Sequence, residues 1–251
     1  MSYGLYLSAA GANVQSHRLE VLSHNLANIN TPGFKPHMAV LQSRPSQAIE
    51  DGTALPGSGT VDDISGGVGI KPTVTQFNQG AIRQTGNRTD LAINDSDSFF
   101  SVTHDGKQLL TRSGNFLFDS SGTMVTPNGD AVRSTGGGPI TINPALPYQI
   151  SDDGSVVQAG ERQQVMLVKP RALGDLSRVG ENLFESLTPV SEVPNSKRSI
   201  VSGALESSGV EPTGAMMQLI EASRVYEANV RMIQTQDDSM GQLIGRMLRQ
   251  S

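Results

Sequence analysis

Asp95 and Asp97 open like a calcium-binding loop, two carboxylates two residues apart that could offer oxygens to a hard cation. The pattern fails further on, because the sixth position is Phe100 where a glycine must turn the loop and the twelfth is Gly106 where a bidentate glutamate belongs. Gly106-Lys107 has no glycine five residues earlier, so no phosphate-binding loop forms there, and "GGVGIKP" lacks the third glycine of a dinucleotide fingerprint. The four histidines, His17, His24, His37 and His104, show no HExxH-like spacing. Asp152-Asp153 precedes a glycine and Asp62-Asp63 lies just before a Ser-Gly-Gly run, where carboxylates shape turns. The absence of cysteine removes thiolate catalysis, disulfides and Cys-ligated zinc together. The expectation is a protein that is not an enzyme, with no cofactor and no metal.

Composition narrows the class further. A net charge of −5 and a pI near 5.4 provide no basic footprint for nucleic acid. Hydrophobic residues make up 36% of the 251, aromatics 4%, and there are 27 glycines and 13 prolines, which points to many turns around a thin, sheet-based core. No stretch reaches the roughly 18 apolar residues of a membrane span. The N-terminus lacks a basic segment ahead of a continuous apolar one, so no cleavable secretory signal is expected.

Two helices are expected at the ends. Leu5, Ala12, Leu19 and Leu26 fall on one seven-residue line, and Ser8, Gln15, Leu22 and Ile29 on its neighbour. Thr31 precedes Pro32 and is pushed out of the α region, while Gly33 allows a turn closed to other residues, so this helix should end near Asn28 to Asn30. At the other end Met216, Ser223, Val230, Asp237 and Ile244 alternate with Leu219, Tyr226, Ile233, Met240 and Met247. Pro212 suits a first turn, and a helix from there to Arg249 would run about 55 Å, long enough to need a partner along its length.

Between them the pattern changes. Residues 35–69 are rich in Gly, Ser, Pro and Asp without periodicity and read as an extended linker. From 70 to 190 short β runs alternate with Asp105-Gly106, Ser121-Gly122, Asn128-Gly129 and Asp153-Gly154, a hairpin array. Residues 191–211 read as a return linker. The expected fold is α+β, with the long helices of residues 1–34 and 212–251 forming a coiled-coil-like axial core, and a central all-β domain between them in sequence.

The segment "SHNLANINTPGFK" resembles the N-terminal signature of the bacterial flagellar rod and hook protein family. "GNRTDLAINDSDSFFSV", "LTRSGNFLFDSSGTMVTPNGDAV" and "GENLFES" are similar to its β-domain segments, and residues 201–238 to its C-terminal signature. Among its members the length, Gly138-Pro139-Ile140 and "ASRVYEANVRMIQTQDDSMGQ" are more similar to proximal-rod than to distal-rod subunits. A hook subunit would carry an extra outer domain. One departure stands out: Ser96-Asp97-Ser98-Phe99-Phe100 occupies a place where family members read Gly-Asp-Gly-Phe-Phe, which removes the glycine conformations of that turn.

The resemblance implies an axial subunit of the basal-body rod in the periplasm, exported by the flagellar type III apparatus without a cleaved signal. Its implied partners are other rod and hook proteins and further copies of itself. Its assembly surface would comprise Leu5, Leu19, Leu22, Leu26, Ile29, Leu219, Tyr226, Val230, Ile233, Met240, Ile244 and Met247. To these the Asn-rich turn adds Asn25, Asn28, Thr31 and Gly33, with Phe34 and Lys35 expected as contact residues. The competing reading is a soluble β-domain binding module or hydrolase flanked by an ordinary helical pair.

Overall fold

A run free of proline carries the first helix, α1 (Tyr3–Ala27), and a longer one, with a proline only at its first position, carries the last, α3 (Pro212–Arg249). The computed structural model describes residues 3–53, 55, 57, 66–151, 153–180 and 182–249, without the side chains of 47, 48 and 247–249. Asp62-Asp63, Asp152 and the Met247 side chain lie outside these. The chain divides into two units, the first holding residues 1–27, 37–75 and 211–251, the second residues 28–36 and 76–210.

In the first unit α1 and α3 lie side by side and antiparallel. Gly4 sits against the Gln236 side chain, Gly11 against that of Asn229, and Arg18 is 3.9 Å from Glu221. The contacts step by seven residues on α1 and by seven and eight on α3. The line used is Gly4–Gly11–Arg18, one residue off the leucine line, because glycine leaves space for an amide side chain where leucine would not. Leu5, Leu19 and Leu26 are half-buried beside it, while Ser8, Val14, Val21, Leu22 and Asn25 are buried. On α3, Ala215 and Ala222 are buried, and Leu219, Val230 and Ile233 are half-buried.

The expected linker is partly structured. Its first residues form β1 (His37–Ser43), which pairs antiparallel with β2 (Val68–Thr75) from His37↔Thr75 to Ser43↔Val68, and a single helical turn, α2 (Gln47–Glu50), follows β1. The missed signal lies in α1: the Asn25 amide donates to the His37 carbonyl at 2.7 Å and accepts from its N–H at 2.9 Å. One side chain thus performs the pairing of a neighbouring strand and sets the start of β1.

The second unit is the hairpin array. Its strands are β3 (Ile82–Gln84), β4 (Leu91–Ile93), β5 (Phe99–His104), β6 (Lys107–Thr111), β7 (Leu117–Phe118), β8 (Met124–Val125) and β9 (Ala131–Val132). They continue with β10 (Gln149–Ile150), β11 (Ser155–Gln158), β12 (Glu161–Gln164), β13 (Leu167–Lys169), β14 (Leu176–Gly180), β15 (Leu183–Ser186) and β16 (Ser191–Glu192), then β17 (Ile200–Ser202) and β18 (Ala204–Glu206). The main sheet runs β14-β15-β6-β5-β9-β8-β7, with β13 also on β5. All four expected turns join neighbouring strands. A fifth, Ala159-Gly160 between β11 and β12, takes positive φ at an alanine and has no sequence signal.

The return segment 191–211 is not a linker. β17 pairs with β4 and β18 with β3, which closes the unit with residues from near its C-terminal end. Both strands are only three residues long, too short for alternation to reveal them. The core joins Phe100, Leu109, Phe116, Met124, Ile140, Val165 and Leu167 on one side of the sheet; Phe99, Leu110, Val168 and Phe184 form a second cluster.

Candidate functional site

Thr31-Pro32-Gly33-Phe34-Lys35, the break after α1, is held on every residue by the β unit. Thr31 closes a turn onto Asn28, through its N–H to the backbone carbonyl and its hydroxyl to the amide oxygen, both at 3.2 Å. The Pro32 carbonyl accepts from Asn182 at 3.1 Å. Gly33 N–H donates to the Glu206 carbonyl at 2.8 Å, and the Phe34 carbonyl accepts from Gly209 N–H at 2.9 Å. The Arg178 guanidinium lies over the Phe34 ring, 4.7 Å from its centroid, and also reaches the Lys35 carbonyl.

Gly33 adopts φ +65°, and a Cβ there would stand 2.4 Å from the backbone carbonyl of Arg112. Both the torsion and the space require glycine. Gly33→Ala is expected to cost more than about 2 kcal/mol, the strain of a left-handed alanine plus overpacking. Chemical denaturation read by near-ultraviolet circular dichroism checks it; a loss under 0.5 kcal/mol would remove the steric argument.

Phe34 and Lys35 are 0% and 1% exposed, so their side chains have no surface to offer a neighbour. Their contact is internal instead. Lys35 Nζ donates to Glu206 Oε1 at 2.7 Å and to the Asn78 carbonyl at 2.8 Å, while Arg112 Nε donates to Glu206 Oε2 at 3.0 Å. Gly80 N–H gives Glu206 Oε1 a further bond at 2.8 Å. Arg112 also donates to the carbonyls of Ser98 and Asp95, and the half-exposed Asp95 carboxylate lies 3.8 Å from it. Two cations therefore share one buried carboxylate, with a second at the edge. Burial pulls the Lys35 pKa below its usual 10.5, opposed by the charge and hydrogen bond of Glu206 and assisted by the charge of Arg112.

Sequence reasoning found Lys35 and missed Arg112, Glu206, Arg178 and Asn182. Positions 35, 112 and 206 share no local pattern, and only a tertiary fold brings them together. A faint signal exists at Arg112, a charge one residue beyond the Leu109-Leu110-Thr111 end of β6.

The remaining polar groups serve turns. Asp95 Oδ1 accepts from the N–H groups of Asp97 and Ser98, so an aspartate side chain shapes this turn, and Asp97 accepts from Lys169 Nζ at 2.8 Å. His104 Nδ1 meets the buried Asp130 at 2.5 Å, a pairing a hydrolase could use. The Thr126 hydroxyl, however, donates to the other oxygen of Asp130 rather than facing the histidine, so it is not placed as a nucleophile. Among the described residues no group of three or more His, Asp or Glu is arranged to hold a metal ion, and no helix is long and apolar enough to cross a membrane.

Paired terminal helices in one unit, and a β unit built around the segment following the first helix, define an α+β protein with no catalytic grouping among the described residues. The comparisons with known proteins agree. Residues 5–35 match the family model described as flagella basal body rod protein, residues 92–158 that of the flagellar hook protein FlgE/F/G D1 domain, and residues 201–246 that of the flagellar basal body rod FlgEFG protein C-terminal. The chain is 33% identical to the flagellar basal-body rod protein FlgF of Caulobacter vibrioides over 93% of both chains. It is 32% identical to the flagellar basal-body rod protein FlgG of Bacillus subtilis, covering 97% of this chain and 98% of that one. The chain belongs to the flagellar basal body rod protein family. Lys35, Arg112 and Glu206 fall one in each of the three matched segments, so the buried cluster ties those segments together.

Proposed function

We propose that this chain is a structural subunit of the flagellar basal-body rod, assembled through its terminal helices into a tubular shaft that transmits torque. The observation that carries this reading is the surface of α3. Met216, Met217, Ile220, Met232, Met240, Leu243 and Ile244 are between 49% and 67% exposed, a density of apolar side chains that an isolated helix pair does not need. Burial at about 25 cal/mol per Å² becomes available to them only when subunits meet. The coiled-coil packing of the assembled core, with Leu5, Leu19, Leu26, Leu219, Tyr226, Val230, Ile233, Met240 and Ile244 contributing, belongs to this proposal. So do the periplasmic position, export by the type III apparatus, neighbouring rod and hook proteins, and the proximal-rod place suggested by the FlgF-like sequence features.

The test is complementation of a motile strain lacking its own copy. The full chain should restore swimming and fractionate with basal bodies, whereas Met216→Asp with Ile220→Asp should fold and fail to fractionate. Basal bodies that retain this double variant would refute assembly through α3.

A further inference from the structure

One face of α1 lies along α3, and another forms a groove with β2. Tyr6, Ala10 and Val14 of α1, with Arg44, Val68 and Ile70, line a depression of about 430 Å³. It is closely built, since a Cβ on Gly67 would stand only 3.5 Å from the Ala10 methyl. Val14 is buried at its base, while Tyr6, Val68 and Ile70 remain 39–46% exposed. From Tyr6 to Val14 the helix rises about 12 Å, just over two turns.

The same unit carries an exposed apolar strip short enough to lie in it. Gln236 is level with Gly4, so residues beyond about 238 extend past the described start of α1. On this overhang Met240, Leu243 and Ile244 are about half exposed and recur at i, i+3 and i+4, on one side of the helix. Asp237 and Asp238 stand at its base. Arg44 stands at the groove, with its side chain 53% exposed and 3.7 Å from Glu50.

We propose that the groove of one copy accepts the α3 overhang of a second copy of this chain. The proposal rests on the axial reading above and adds where the contact is made. Groove and strip are both apolar, the strip's rise of about 6 Å fits within the groove's roughly 12 Å, and the acidic base of the strip complements Arg44. A chain cannot fill its own groove, because Gly4–Gln236 and Gly11–Asn229 set Tyr6 to Val14 level with about 226–234, and Leu243 lies beyond that end. The two surfaces differ, so the contact is head-to-tail and propagates from copy to copy into a ring or helical array.

The chain has no cysteine, so Ala9→Cys with Leu243→Cys supplies two thiols per subunit. Along the hairpin they are about 18 Å apart, beyond the roughly 4.4–6.8 Å Cα separation of a disulfide. A bond between them must therefore join two copies. Oxidised basal bodies from cells carrying this variant should yield a ladder of multimers that a reductant collapses, each single variant should give dimers at most, and adding Ile70→Asp should weaken the ladder at least tenfold. A double-cysteine chain that fractionates with basal bodies yet stays monomeric, or a ladder indifferent to Ile70→Asp, overturns the groove assignment and leaves the axial reading standing. A wild-type chain absent from basal bodies overturns both.

Discussion

Glu206→Gln is expected to destabilise the β unit by about 3–5 kcal/mol, a large share of the stability of an ordinary domain. The carboxylate accepts from Lys35, Arg112 and the Gly80 N–H, and all three charged residues are about 1% exposed. A neutral amide of the same shape leaves two buried cations without their buried counter-charge, with only Asp95 at the edge near Arg112, and its NH₂ group faces one of them. The loss should depend on pH in a defined direction. Burial already holds the Lys35 pKa below 10.5, and removing Glu206 removes the contact that raises it. The folded variant then binds fewer protons than the unfolded chain as pH approaches 10.5, so its stability rises with pH over that window. Urea unfolding of the full chain at neutral and alkaline pH measures both effects. A loss under about 1 kcal/mol would mean that water reaches the cluster. Replacing Lys35 and Arg112 by Met together with Glu206→Gln should recover part of the loss, since the cost lies in unmatched charge rather than missing volume.

This cluster also marks where the sequence stopped being readable. The hairpins around Asp105-Gly106, Ser121-Gly122, Asn128-Gly129 and Asp153-Gly154 are local events, set by residues that adopt positive φ, and they could be placed from four letters each. The long helices are nearly as local, and their extents agree with the expectation to within a few residues. What could not be read depends on distance along the chain. β17 and β18 are strands only because β4 and β3 lie more than a hundred residues earlier, and β1 starts where the Asn25 amide holds it. Phe34 and Lys35 show the same limit: an aromatic and a cation after a turn look like surface contacts until Arg178 and Glu206 arrive from elsewhere. The heptads misled by one residue for a related reason. Apolar periodicity reports a buried face, whereas the line along α3 is chosen by how closely two backbones can approach, which favours Gly4 and Gly11 over Leu5 and Ala12.

Leu22→Asp combined with Leu26→Asp is expected to abolish swimming, through the helix pair of the single chain before any neighbour is involved. Leu22 is 7% exposed already, and the other large apolar side chains buried in the described part of this unit are Val14 and Val21. Losing a leucine from so small a set costs about 2–5 kcal/mol, and burying an unpaired carboxylate adds several more. Nothing elsewhere in the unit offsets that: the β1–β2 pair has two strands, and such a hairpin is marginal by itself. The expected signature is therefore specific. The far-ultraviolet helical signal, which comes mostly from the 25 residues of α1 and the 38 of α3, should fall sharply in the isolated chain, while the cooperative melt of the β unit stays in place. Leu22→Met, which keeps volume and apolarity, should preserve both the signal and motility. A double aspartate chain that keeps its helical signal but loses swimming would move Leu22 and Leu26 to the surface between subunits, and one that keeps both would remove them from the packing altogether.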